Sequence, residues 1–107
     1  MLADTPPTSY YAVIFTSLQT ESKIGYEEMS KRMNELASQQ EGFLGMESAR
    51  EELGITVSYW SSLEAISKWK HHAEHLIAQQ KGLEQWYASF KIRICKVERD
   101  YGFEREI

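Results

Sequence analysis

At 107 residues the chain has the length of one domain, able to bury a single core of modest size. Hydrophobic residues make up 42% and charged residues 26%, the balance of a soluble globular protein, and a formal net charge of −4 argues against a phosphate backbone as partner. The single cysteine, Cys95, excludes an internal disulfide, and the apolar run around it predicts a buried, inert thiol.

The first residues, "MLADTPP", read as a disordered tail over 1–8, because Pro6 and Pro7 oppose regular structure. With neither a basic start nor a long apolar segment, the N-terminus predicts no signal peptide. No apolar run approaches the ~20 residues of a membrane span, so the expectation is a cytoplasmic protein. A single domain over 9–107 follows. "YYAVIFTSL", Tyr10 to Leu18, is β-branched and aromatic and predicts a central strand. Tyr26, Met29, Met33, Leu36 and Ala37 then recur at helical spacing, with Gly42 as the stop. Phe43–Ala49 and Ile55–Trp60 predict a hairpin around a polar turn, "REELG".

Ser61 or Ser62 can cap a second helix, which the pattern carries through "SLEAISKWKHHAEH" and onward to a kink at Gly82. Ile66, Trp69, Ala73 and Ile77 form its predicted core stripe. His71 and His75, four residues apart, share the opposite face, and His72 lies nearer Trp69. The last element is a strand in "SFKIRICKVERDYGF", with Phe90, Ile92 and Ile94 on one side and Lys91 and Arg93 on the other. The order β–α–β–β–α–β predicts an α+β, ferredoxin-like domain: a four-stranded antiparallel sheet with two helices on one face. Its other face, with Tyr10, Tyr11 and Tyr59, then needs a partner or a ligand.

Three histidines and two tryptophans fall between Ser58 and His75. A metal site needs a third converging donor, and the sequence supplies none at suitable spacing, so no metal is expected. His75, placed before the predicted bend, is the candidate acid–base group. Trp86 and Tyr87, adjacent and therefore divergent, are candidates for a ligand wall, and Arg93 for a group that meets an oxyanion.

The quoted segments "EGFLGMESAR", "YWSSLEAISKWKHHAEH" and "AQQKGLEQWYASFKIRICKVERDYGF" resemble the antibiotic biosynthesis monooxygenase superfamily. The likeness covers nearly the whole chain after residue 9. It is strongest to a bacterial branch with the pattern carried here by Trp69, His75, Ala78, Gln79, Gly82, Trp86, Tyr87, Val97, Glu98, Arg99 and Tyr101. The resemblance implies a homodimeric α+β barrel of ferredoxin-like subunits, each with a pocket between sheet and helices. It further implies oxygenation of an electron-rich aromatic (quinol, phenolic or polyketide-like) by O₂, with no cofactor, neither metal, flavin nor haem. In that reading His75 is the proton acceptor, Arg93 or Tyr87 the oxyanion donor, and Trp69, Trp86, His72 and Tyr59 bind the small aromatic molecule.

Two alternatives stand beside this reading. One is a non-catalytic or stress-related dimer that binds a small molecule. The other is haem binding or degradation, as in another branch of the superfamily. That branch's tryptophan spacing is matched by Trp60 and Trp69. Its iron-ligating histidine, however, would fall at Gln79, and the asparagine of its first strand has no counterpart in "YYAVIFTSL".

Overall fold

Strand β1 (Tyr10–Gln19) is followed by helix α1 (Tyr26–Ser38), and strands β2 (Phe43–Arg50) and β3 (Leu53–Trp60) form the hairpin. Helices α2 (Leu63–Lys70) and α3 (Ala73–Lys81) come next, then a π-helical turn, Gly82–Trp86, and strand β4 (Tyr87–Val97). These elements belong to a computed structural model that describes residues 1–106, the side chain of Ala73 excepted. The predicted place of Ala73 on the core stripe, and of Ile107 at the domain's end, lie outside the described residues.

The sheet is antiparallel throughout, in the order β2-β3-β1-β4. This is the predicted α+β, ferredoxin-like architecture, with one revision. The second helix is two helices, because the chain leaves helical geometry at His71 and His72. His72 is extended, and its Nδ1 accepts the Glu74 backbone N–H at 3.3 Å, so it caps a new helix instead of continuing the old one. The predicted kink at Gly82 is a widening from the α-helix into the π turn, at a point where a Cβ would come within 2.8 Å of the Tyr87 ring.

Register shows which residues share a face, since directly paired residues project to the same side. Tyr11, Val13, Phe15 and Ser17 of β1 stand directly across from Trp60, Ser58, Thr56 and Gly54 of β3, and from Lys96, Ile94, Ile92 and Phe90 of β4. This is the helix side: Ala37, Trp60, Ala65 and Ile66 make the core there, flanked by Tyr11, Val13, Phe43 and Trp69. The cover is uneven. Helix α1 packs on β2 and α2 on β3, whereas β4 has its main contacts with β1 and the π turn. Phe90, Ile92 and Ile94 consequently remain 41%, 51% and 55% exposed, an open apolar wall beside a closed core.

The opposite side carries Tyr10, Ala12, Ile14 and Leu18 of β1 with Tyr59, Val57, Ile55 and Leu53 of β3. Tyr11, expected with them, packs into the helix-side core instead. Cys95, expected to be buried, is exposed, because it pairs with Ala12 on this uncovered side of an edge strand. Residues 1–8 form no helix or strand, yet the Ala3 N–H donates to Glu47 Oε2 at 3.0 Å and the Thr5 hydroxyl donates to Tyr10 Oη at 2.9 Å. Tyr10 in turn donates to Asp100, beyond β4, so both ends of the chain close over one corner of the sheet.

Candidate functional site

Trp60 closes β3 and is only 1% exposed, with its Nε1–H donating to Ser58 Oγ at 2.9 Å. Two residues on, Ser62 Oγ accepts the Ala65 N–H at 3.0 Å and starts α2. Ile66 faces the core, and Trp69, one turn later on the same stripe, stacks on Trp60 with ring centres 6.4 Å apart and planes at 24°. After the break at His71 and His72, α3 brings His75 back over Trp69. Their rings lie 4.4 Å apart and within 10° of parallel. His72 flanks the same indole at 5.5 Å. Trp60, Trp69 and His75 thus form one continuous stack.

The chemistry of His75 follows from one contact, Nδ1 to the Trp69 carbonyl oxygen at 3.0 Å. A carbonyl only accepts, so Nδ1 carries the proton and Nε2 keeps its lone pair. The Gln79 amide nitrogen approaches the same Nδ1 at 3.4 Å but is itself a donor, and its partner is Lys70 O at 2.9 Å. Burial pushes the imidazole below its ordinary value, outweighing the Trp69 carbonyl, with His72 adding a small push the same way. At neutral pH the ring is therefore a neutral base, held in one tautomer by a backbone group. His71, by contrast, is exposed, its Nδ1 donating to Ser67 O at 2.8 Å. The predicted pairing of His71 with His75 on one helix face is undone by the break between them.

A second cluster occupies the other end of the helix side. Trp86 is 4% exposed, its Nε1–H donates to Ile24 O at 3.0 Å, and its ring meets Tyr26 edge-on at 5.5 Å. It is a core anchor and not the ligand wall expected of it. Tyr87 sits edge-on to Phe15 at 5.3 Å and near Phe90 and Tyr26 at 5.9 and 6.0 Å. Burial first, then the neighbouring Tyr26 hydroxyl, pushes its phenol well above the ordinary tyrosine range, so it stays a hydrogen-bond donor.

Two predicted site residues are elsewhere. Arg93 pairs with Ile14 and Tyr59 with Ala12, which puts both on the side of the sheet turned away from the helices. Tyr59 donates to Glu47 Oε1 at 2.6 Å and is pushed up to about 12 by burial and then by that carboxylate. Neither lies on the helix side, because strand alternation fixes their side, and His75 and Tyr87 themselves stand toward opposite ends of it. Conversely, Trp60, Tyr26, Ser17 and Arg50 belong to the helix-side site and were not singled out by pattern. Arg50 in particular reads as part of a polar turn, whereas the turn is only Glu51 and Glu52. Among the described residues no three His, Cys, Asp or Glu side chains converge as a metal site would require.

A four-stranded antiparallel, ferredoxin-like α+β sheet is the architecture of the antibiotic biosynthesis monooxygenases, and solved structures share it. SnoaB, a cofactor-independent oxygenase from Streptomyces nogalater, superposes with a TM-score of 0.70 at 11% identity, over 88% of this chain and 97% of its own. Rv0793 from Mycobacterium tuberculosis gives 0.76 at 9% identity, over 89% of this chain and all of its own (100%). At such identities the likeness is one of fold. In sequence, residues 15–95 match the family Monooxygenase af470-like, and the chain belongs to that family. The uncharacterized protein YqjZ of Bacillus subtilis is 50% identical over 105 residues, which cover 96% of this chain and 92% of YqjZ.

Proposed function

We propose that the protein is a cofactor-independent monooxygenase acting on a small electron-rich aromatic, with His75 as its base. The observation that carries this reading is the Trp60–Trp69–His75 stack, in which a desolvated imidazole keeps Nε2 unprotonated. The exposed apolar wall of Phe90, Ile92 and Ile94 gives a flat ring somewhere to lie. Nε2 takes a proton from an acidic C–H of the substrate, leaving a delocalised carbanion. That anion reduces O₂ and forms a carbon–oxygen bond. The imidazolium returns its proton to the peroxide, whose O–O bond then breaks. A methylene thereby becomes a carbonyl, one oxygen atom leaves as water, and the substrate supplies all four electrons. The protein's share is to bind, orient and move a proton.

An oxygen electrode tests this with a panel of anthrones and quinols: uptake above the spontaneous rate is expected, at one O₂ per carbonyl formed where an anthrone methylene is oxidised. No uptake with any of them would reject the enzyme reading in favour of a binding protein. Family membership and fold support the reading at the level of class.

The side of the sheet away from the helices supports a second component, a homodimer. Leu18, Leu53 and Ile55 are 43%, 48% and 41% exposed there, beside Ile14 and Val57. A second copy laid on this side would cover them, and a stable pair buries above ~1,000 Å². Light scattering should give twice 12.5 kDa; a monomer at micromolar concentration would reject it.

A further inference from the structure

Arg50 is a half-buried cation at the end of β2, and among the described residues no carboxylate forms a salt bridge with it. Its Nη1 donates to Ser17 O at 3.4 Å and its Nη2 to Ser17 Oγ. Ser17 is 2% exposed, so the contact is a built one, on the helix side of the sheet. Gly54, opposite in the hairpin, makes room: a Cβ there would collide with the guanidinium itself. The remaining guanidinium donors make no hydrogen bond among the described residues. The charge is also near enough to Tyr87 to favour its phenolate, against the stronger effect of burial. The free donors of the fork are therefore open to a ligand that enters from the solvent side.

A ligand has room there. Arg50 and Tyr26 border an open cleft of about 630 Å³, together with Gln19 and Lys23. That volume is in the range of small-molecule sites. Along β1, Ser17 lies six residues from Tyr11, the partner of Trp60, roughly 20 Å at strand spacing, so the cleft stands toward the end of the helix side away from the His75 stack. Exposed Glu27, Glu28 and Glu51 also border the cleft and repel an anion, so selectivity has to come from the fork geometry of the guanidinium and not from the field of the cleft.

We propose that Arg50, positioned by Ser17 and Gly54, is the anion-recognition residue of this cleft and holds the carboxylate of an aromatic acid. The binding does not rest on the oxygenase reading, since the cleft shares no residue with the Trp60–Trp69–His75 stack. Tryptophan fluorescence titration should compare dihydroxynaphthoate with naphthohydroquinone, the same ring system without the carboxylate, both under nitrogen. The acid should bind about ten- to a hundred-fold tighter, as charge-assisted hydrogen bonds imply. Arg50→Gln should remove that preference and leave the neutral ring's affinity unchanged, and Arg50→Lys should keep part of it. Gly54→Ala, which displaces the guanidinium without removing its charge, should mimic Arg50→Gln. Equal affinity for the two ligands, no binding of either, or a preference that survives Arg50→Gln would overturn the assignment. A variant that merely loosens the fold would weaken both ligands alike, which also counts against it. Tight binding of the acid without oxygen uptake would leave Arg50 its role and reject the oxygenase reading alone.

Discussion

The two halves of the helix side of the sheet follow the same alternation and end in opposite states. On β3, Trp60 is sealed under α2 at 1% exposure; on β4, whose main contacts are with β1 and the π turn, Ile92 stands 51% exposed. Alternation states which side a residue faces, and only the path of the helices states whether that side is closed. Because the second helix breaks at His72 and restarts, α3 is free to carry His75 back over Trp69 while β4 stays open. A closed half that holds the fold and an open half that receives a ligand are thus products of one pattern.

Substitutions should separate the halves. Trp60→Ala empties the centre of the closed half and should cost roughly 3–5 kcal/mol in a denaturant titration. Trp69→Ala should cost less, since its ring is only half buried, and should also uncover His75. The imidazole would then titrate nearer its ordinary value, which NMR of the ring protons would show. A pH dependence follows in the intact protein. The folded value of His75 lies below the unfolded ~6.5, so below that pH the unfolded chain takes up a proton that the fold resists. Stability should hold above pH ~6.5, fall beneath it, and level off below the folded value. His75→Gln should remove that part of the slope. Smallest of all, Ile92→Ala in the open half should change stability by less than about 1 kcal/mol while weakening ring binding; a loss as large as that of Trp60→Ala would mean that β4 is covered in solution.

Element order, alternation along the strands and the amphipathic first helix were legible because they rest on local period and on Gly42, which sits at φ +88 where a Cβ would strike Ala65. The helix break was harder to read. A histidine can cap a helix or continue one, and "HHAEH" fits either until the Glu74 N–H is seen on His72. Ile77, expected in the core, is 56% exposed because the break rotates the second segment. Trp69 and His72 were read as neighbours, whereas His75 was put on the face opposite Trp69, and only the helix break brings its ring over the indole. Arg93 and Tyr59 were placed with them although alternation alone puts a residue on a side without saying which side holds the ligand. Arg50 was hidden by the turn chemistry of its neighbours, and its partner Ser17 lies 33 residues away in sequence.

The central claim is that a tautomer-fixed His75 performs the proton transfer. Its most direct test is the initial rate of oxygen uptake by His75→Ala beside the wild type, with the melting temperature of each. The account predicts a rate lower by ~10²–10⁴ with the fold retained. A folded His75→Ala protein that consumes oxygen at the wild-type rate would contradict it.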